Sequence, residues 1–80
     1  MNDVLLQMVD ELREQRPAVY LADEYAAWEH AIGQTIAALP TREQRWAATV
    51  LVGNDLAKAM PGLPLSVAYG RILGVVLQQG

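Results

Sequence analysis

The 80 residues contain no cysteine and no phenylalanine, and histidine, serine and lysine appear once each. Without cysteine the chain has neither disulfides nor thiolate metal sites, which fits a reducing compartment. A single histidine, His30, cannot supply the three or four ligands that a zinc site needs, and it reads as an ordinary polar or part-buried helix position. The lone Ser66 is better used as a helix cap than as a nucleophile, and no glycine-rich phosphate loop or nucleophile–base pair can be named. The expectation is therefore a protein that is not an enzyme, with no cofactor, no metal and no small-molecule substrate. Alanine, leucine and valine dominate the apolar residues instead, alongside Trp28 and Trp46. Alanine and leucine lose little side-chain freedom in a helix, so this composition is helical.

Long apolar runs are missing too. The least charged window, residues 59–77, is interrupted by Pro61, Pro64, three glycines and Arg71, so a membrane span is not expected. The first residues, Met-Asn-Asp, lack the basic start of a secretion signal, and a cytoplasmic location is expected. Net charge is only -3, but it is unevenly spread. Residues 1–30 carry seven acids against Arg13 and Arg16, a balance of -5; residues 31–80 carry Glu43 and Asp55 against Arg42, Arg45, Lys58 and Arg71, a balance of +2. An acidic first half is either a plain solvated face or a surface offered to a basic partner.

Helical spacing runs through the whole chain. VLLQMVDELREQ places Leu5, Met8, Val9 and Leu12 on one stripe, with Asn2 or Asp3 as cap and Pro17 as stop. In the next segment Leu21, Tyr25, Trp28, Ile32, Ile36 and Leu39 recur at spacings of three and four. That helix begins either just after Pro17 or with Asp23 as its cap, and Pro40 ends it. A second line, Ala22, Ala26, His30, Gly33 and Ala37, is small enough for another helix to lie against. Thr41 and Gln44 form a capping-box pair that starts a third helix at Arg42. On it Trp46, Val50 and Gly53 form one line, and Ala47, Leu51 and Val52 widen the apolar surface. Gly53-Asn54-Asp55 leaves two readings open, one helix through to Met60 or two short ones, and the continuous helix is preferred. Pro61-Gly62-Leu63-Pro64 is a turn, after which Ser66 is expected to cap VAYGRILGVVLQQ. Residues 1–80 thus read as a single all-α domain, a compact bundle of four to five short helices.

The most specific pattern is DLAKAMPGLPLSVAYGRIL, two helices joined by a turn. Leu56-Ala57 and Gly62 resemble the usual helix-turn-helix positions, and LPTREQRWAATVL is similar in part to the start of the DNA-binding region of sigma-type transcription factors. That resemblance implies a DNA-binding regulator using residues 55–73, with Arg42, Arg45, Lys58 and Arg71 as its contacts. Two features oppose it. Pro61 and Pro64 enlarge the turn, and Arg71 is the only charge on a second helix made of Val67, Ile72, Leu73, Val75, Val76 and Leu77. DNA affinity draws on lysine and arginine against phosphates, which a chain of pI near 4.8 supplies poorly. Nucleic acid is therefore the second choice as partner.

The preferred expectation is a small acidic protein-binding module, a regulator or inhibitor that docks on a larger protein, with a homodimer as the other form of association. Size and charge are those of phage and mobile-element inhibitors, an analogy only. Candidate contacts are Asp10, Glu14, Asp23 and Glu24 from the acidic half, Tyr20, Tyr25 and Tyr69 for their hydroxyls, and Arg71 and Val75 from the last helix. Ser66, Gly70 and Gly74 form a small ridge there, expected to pack closely on the second helix or on a partner. Trp28 and Trp46 are expected to anchor the core, with partly exposed interface hot spots as the second reading.

Overall fold

A computed structural model describes residues 3–17 and 22–79. Four helices follow in order: α1 (Asp3–Glu14), α2 (Ala22–Ala37), α3 (Arg42–Ala59) and α4 (Leu65–Gln78). The architecture is all-α, a bundle of four helices with no strand among the described residues. No helix is long and apolar enough to cross a membrane.

α2 lies at the centre and packs on all three other helices; α3 and α4 form the closest pair, and α1 rests on α2 with a smaller contact to α3. The stripe read from the sequence is the core stripe of α2, with Tyr25, Trp28, Ile32 and Ile36 all buried and Leu39 just beyond the helix. Val9 of α1, Val52 and Leu56 of α3, and Ala68, Ile72 and Val76 of α4 complete the core. α1 is held by Val9, by half-buried Leu5 and Leu12, and by the Trp28 indole N–H, which donates to the Leu12 carbonyl at 2.7 Å. That carbonyl is among the last four of α1, which lack partners inside their own helix, so Trp28 also serves as a cap.

α3 is one helix through Gly53. It is opened by Thr41, whose hydroxyl accepts from the Gln44 N–H at 3.1 Å, as the capping signature predicts. Gly53 is kept inside the helix because the Tyr69 ring lies against its Cα, where any Cβ would collide with the ring. Gly33 plays the same part for Val75 where α2 meets α4. The connection after α3 has proline then glycine at its centre, with Gly62 at φ 91° and the Leu63 N–H donating to the Met60 carbonyl at 3.0 Å. Those are the residues and the sign of φ that a type II turn requires.

Several expectations are corrected. α4 is capped by the backbone of Pro64, whose carbonyl accepts from Val67 and Ala68; helix formation thus starts one residue before Ser66, which lies exposed in the first turn and caps nothing. α2 begins at Ala22, so Asp23 is not its cap but sits with Glu24 in the first turn, where acids favour the helix dipole. Asn2 as a cap, the option of a start just after Pro17, Leu21 on the stripe and Tyr20 as a contact fall on residues outside the described ones. Of the small line on α2 only Gly33 is fully covered; Ala22, Ala26 and His30 are exposed. The ridge of Ser66, Gly70 and Gly74 faces outward, and nothing lies near the last two. Trp46 is 61% exposed and is no core anchor.

The glycines make a clean comparison. Gly70→Ala and Gly74→Ala should each raise stability by about 0.5–1 kcal/mol, because alanine is the better helix former and the space is open. Gly53→Ala should lower it by about 1–2 kcal/mol, since overpacking against Tyr69 outweighs the propensity gain. Urea unfolding followed by circular dichroism reads all three, and a gain at position 53 would refute the packing assignment.

Candidate functional site

A concavity of about 410 Å³ is polar and lies where the end of α1 meets α3; Asp10, Arg13, Glu14, Arg16 and Asp55 line it. Three of its charges, Arg13, Asp10 and Asp55, are spent on one another. The Arg13 guanidinium donates to both Asp55 oxygens, at 2.6 and 3.3 Å, and also pairs with Asp10 at 3.6 Å. Arg16 donates to the Asp55 carbonyl at 3.0 Å. The hydrogen bond from Arg13 to Asp55 pushes the guanidinium pKa further up, against a smaller desolvation and with added help from the charges of Asp55 and Asp10. This constellation is a clasp between α1 and α3. Among the described residues no three histidines, aspartates or glutamates are placed to hold a metal ion.

A second concavity, about 330 Å³, has the opposite character. It runs between the start of α3 and the end of α4, which meet because the two helices are antiparallel. Arg42, Arg45, Trp46 and Thr49 form one wall, and Leu73, Val76 and Leu77 the other. Trp46 is 61% and Leu77 68% exposed, so two large apolar side chains stand in water at its mouth. Ala37 and Gln79 continue the surface toward α2, and Glu43 continues it around Trp46. The outward face of α4 prolongs it with Ser66, Val67, Gly70, Gly74 and Gln78, none of them charged.

The rim is basic. Arg42 is exposed and has no hydrogen-bond or ion-pair partner among the described residues, whereas Arg45 donates to the Leu39 carbonyl at 2.7 Å and has no ion-pair partner among them. An exposed tryptophan beside leucines, bordered by arginines, has the composition of an interface anchor.

The residues singled out from the sequence do not meet at one place. Asp10, Glu14, Asp23 and Glu24 are exposed on α1 and the first turn of α2, on the acidic side of the molecule. Tyr25 is 2% exposed, with its hydroxyl donating to the Pro17 carbonyl at 3.2 Å. Tyr69 is half-buried against Gly53, and its hydroxyl donates to the Asn54 side chain at 2.9 Å. Val75 is half-buried against Gly33. Arg71 turns inward, donating to buried Glu29 at 2.5 Å and contacting the Met60 sulfur at 3.7 Å. Arg42 and Lys58 lie near opposite ends of α3, about 24 Å apart at 1.5 Å per residue. The four cations named as DNA contacts therefore do not form one patch.

Sequence reasoning missed two features. Trp46 is assigned first to the core and Leu77 to no site, although α4, with Arg71 as its one charge, pointed to an apolar surface. Glu29 was counted among solvated acids, yet it lies four residues after Tyr25 and three before Ile32, on the buried side of α2. Comparisons with protein-family models, curated proteins and solved structures give no match to this chain.

Proposed function

We propose that this chain is a small, non-enzymatic, cytoplasmic protein-binding module, a regulator or inhibitor that docks on a larger protein through the groove between α3 and α4. The observation that carries the reading is Trp46, 61% exposed at the mouth of an apolar groove whose rim holds two arginines free of ion pairs. Tryptophan and arginine dominate the binding energy of protein interfaces when a partner excludes water from them. Exposing both apolar walls without a partner is costly in a chain this small, where the monomer has little apolar surface to spare. The uncharged outward face of α4 supports a protein partner over a phosphate backbone, because α4 would be the groove-reading helix of a helix-turn-helix.

A photo-crosslinking residue at position 46 tests this in native host cells, with position 30 as control, since His30 is exposed on α2 away from the groove. The expected result is an adduct to one larger protein at position 46, absent at position 30. Binding of that protein to the purified chain should weaken by about tenfold or more in Trp46→Ala. Crosslinks to nothing but the chain itself would overturn the target-binding role. So would a DNA complex at low salt that is lost in Arg42→Ala.

A further inference from the structure

We propose that the groove is also a self-recognition site, occupied in the free protein by helix α1 of a second copy. This rests on the reading of the groove as a docking surface, and it names the occupant from this chain's own residues.

Unpaired charge is unevenly spread over the molecule. Among the described residues, the acids free of ion pairs are Glu11 and Glu14 on α1, Asp23 and Glu24 at the start of α2, and Glu43 beside Trp46; the cations free of ion pairs are Arg16 just after α1, Arg42 and Arg45 on the groove, and Lys58 near the end of α3, so the groove rim carries a net +1 and the end of α1 a net -1. α1 also carries apolar side chains that its own chain leaves uncovered. Val4 is 65% exposed, and Met8, expected on the core stripe, is 42% exposed; with Glu11 they fall at spacings of four and three, one line along the flank of the buried face. That line is apolar for two turns and acidic for the third, with Glu14 one turn further on. The groove is apolar along Trp46, Leu73 and Leu77 and basic at Arg42, one turn before Trp46 on α3. An amphipathic helix with anchors at four- and three-residue spacing is what such a groove accepts, and the signs of charge fix its direction. Val4 and Met8 lie against Trp46 and Leu77, and Glu11 and Glu14 reach toward Arg42 and Arg45.

Two such contacts related by a two-fold axis close into a dimer, each copy lending its α1 to the other. The groove is then covered at high concentration and open at low concentration, so self-association competes with any target that uses Trp46.

Sedimentation velocity of the full chain across about 10 μM to 1 mM, spanning the weak-affinity range, reads the proposal directly. A monomer–dimer equilibrium is expected, and raising salt from about 50 to 500 mM should weaken it several-fold by screening the arginine–glutamate contacts. Trp46→Ala and Met8→Ala, both at exposed positions, should each weaken association by about tenfold with the circular dichroism spectrum unchanged. Arg42→Glu should weaken it, and adding Glu11→Arg should restore it. A monomer at every concentration overturns the proposal, as does a dimer that ignores Trp46→Ala or gains nothing from the charge reversal. Either result leaves the target-binding reading to its own test, crosslinking at position 46.

Discussion

Trp28→Ala should remove about 3–5 kcal/mol of stability, the usual loss for deleting a buried tryptophan side chain. A domain of this length holds only about 4–12 kcal/mol in total, so the loss takes at least about a quarter of it and at the low end leaves the chain half unfolded or beyond. Three interactions vanish together. The indole fills the space between α1 and α2 at 6% exposure, meets the Tyr25 ring edge-on at 5.9 Å between centroids, and donates to the Leu12 carbonyl. Trp28→Phe separates these terms: it keeps most of the apolar volume but loses the N–H, and should cost about 1–2 kcal/mol. Because the lost donor caps the last turn of α1, hydrogen exchange in that variant should rise first in residues 9–14, before the core of α2 and α4 opens. The companion Trp46→Ala, at the exposed tryptophan, should change stability by no more than about 0.5 kcal/mol. Urea titrations of the three variants make the comparison. If Trp46→Ala proved as damaging as Trp28→Ala, Trp46 would be a core residue and the groove would not be an open surface.

This contrast between two tryptophans marks how far the sequence reaches. On α2 the apolar residues keep to one side, so periodicity alone finds Tyr25, Trp28, Ile32 and Ile36. α3 carries apolar residues nearly all around, from Trp46 and Ala47 through Val50 and Leu51 to Leu56 and Ala57. No stripe stands out, and choosing the largest side chain as the core anchor picks the wrong line. The buried line is Ala48, Thr49, Val52, Gly53 and Leu56, mostly small because α3 lies so close to its neighbours. Close approach selects small residues, and which small residues are used depends on helix directions that spacing does not specify. Gly33 and Gly53 are used, whereas Gly70 and Gly74 are not, although all four look alike in a string of letters. Caps and turns were more legible: Thr41 with Gln44, and Pro61 with Gly62, act within a few residues and need no tertiary information. Ser66 misled because Pro64 offers an extended backbone two residues earlier.

Arg71→Met should destabilise the fold by about 2–3 kcal/mol, below the full value for breaking a buried ion pair because the Arg71 side chain keeps 30% exposure. The substitution leaves Glu29, whose side chain is only 9% exposed, charged and without its cation between α2 and α4. Glu29→Gln should be milder, about 1–2 kcal/mol, since the amide oxygen still accepts from the guanidinium. The informative variant is the double one. Replacing both Glu29 and Arg71 by methionine removes the desolvation of two charges and leaves apolar stems of similar length in the same space. Its stability should return to within about 1 kcal/mol of the parent, because a buried pair contributes little beyond a well-packed apolar substitute. A double-mutant cycle of urea midpoints, in which Glu29→Met alone costs at least as much as Glu29→Gln, then gives a coupling of about 2–4 kcal/mol. Losses that simply add would show that Arg71 is not committed to Glu29. Coupling of that size would mean that the only charged side chain of α4 is consumed inside the bundle, which is why the helix presents an uncharged face to any partner.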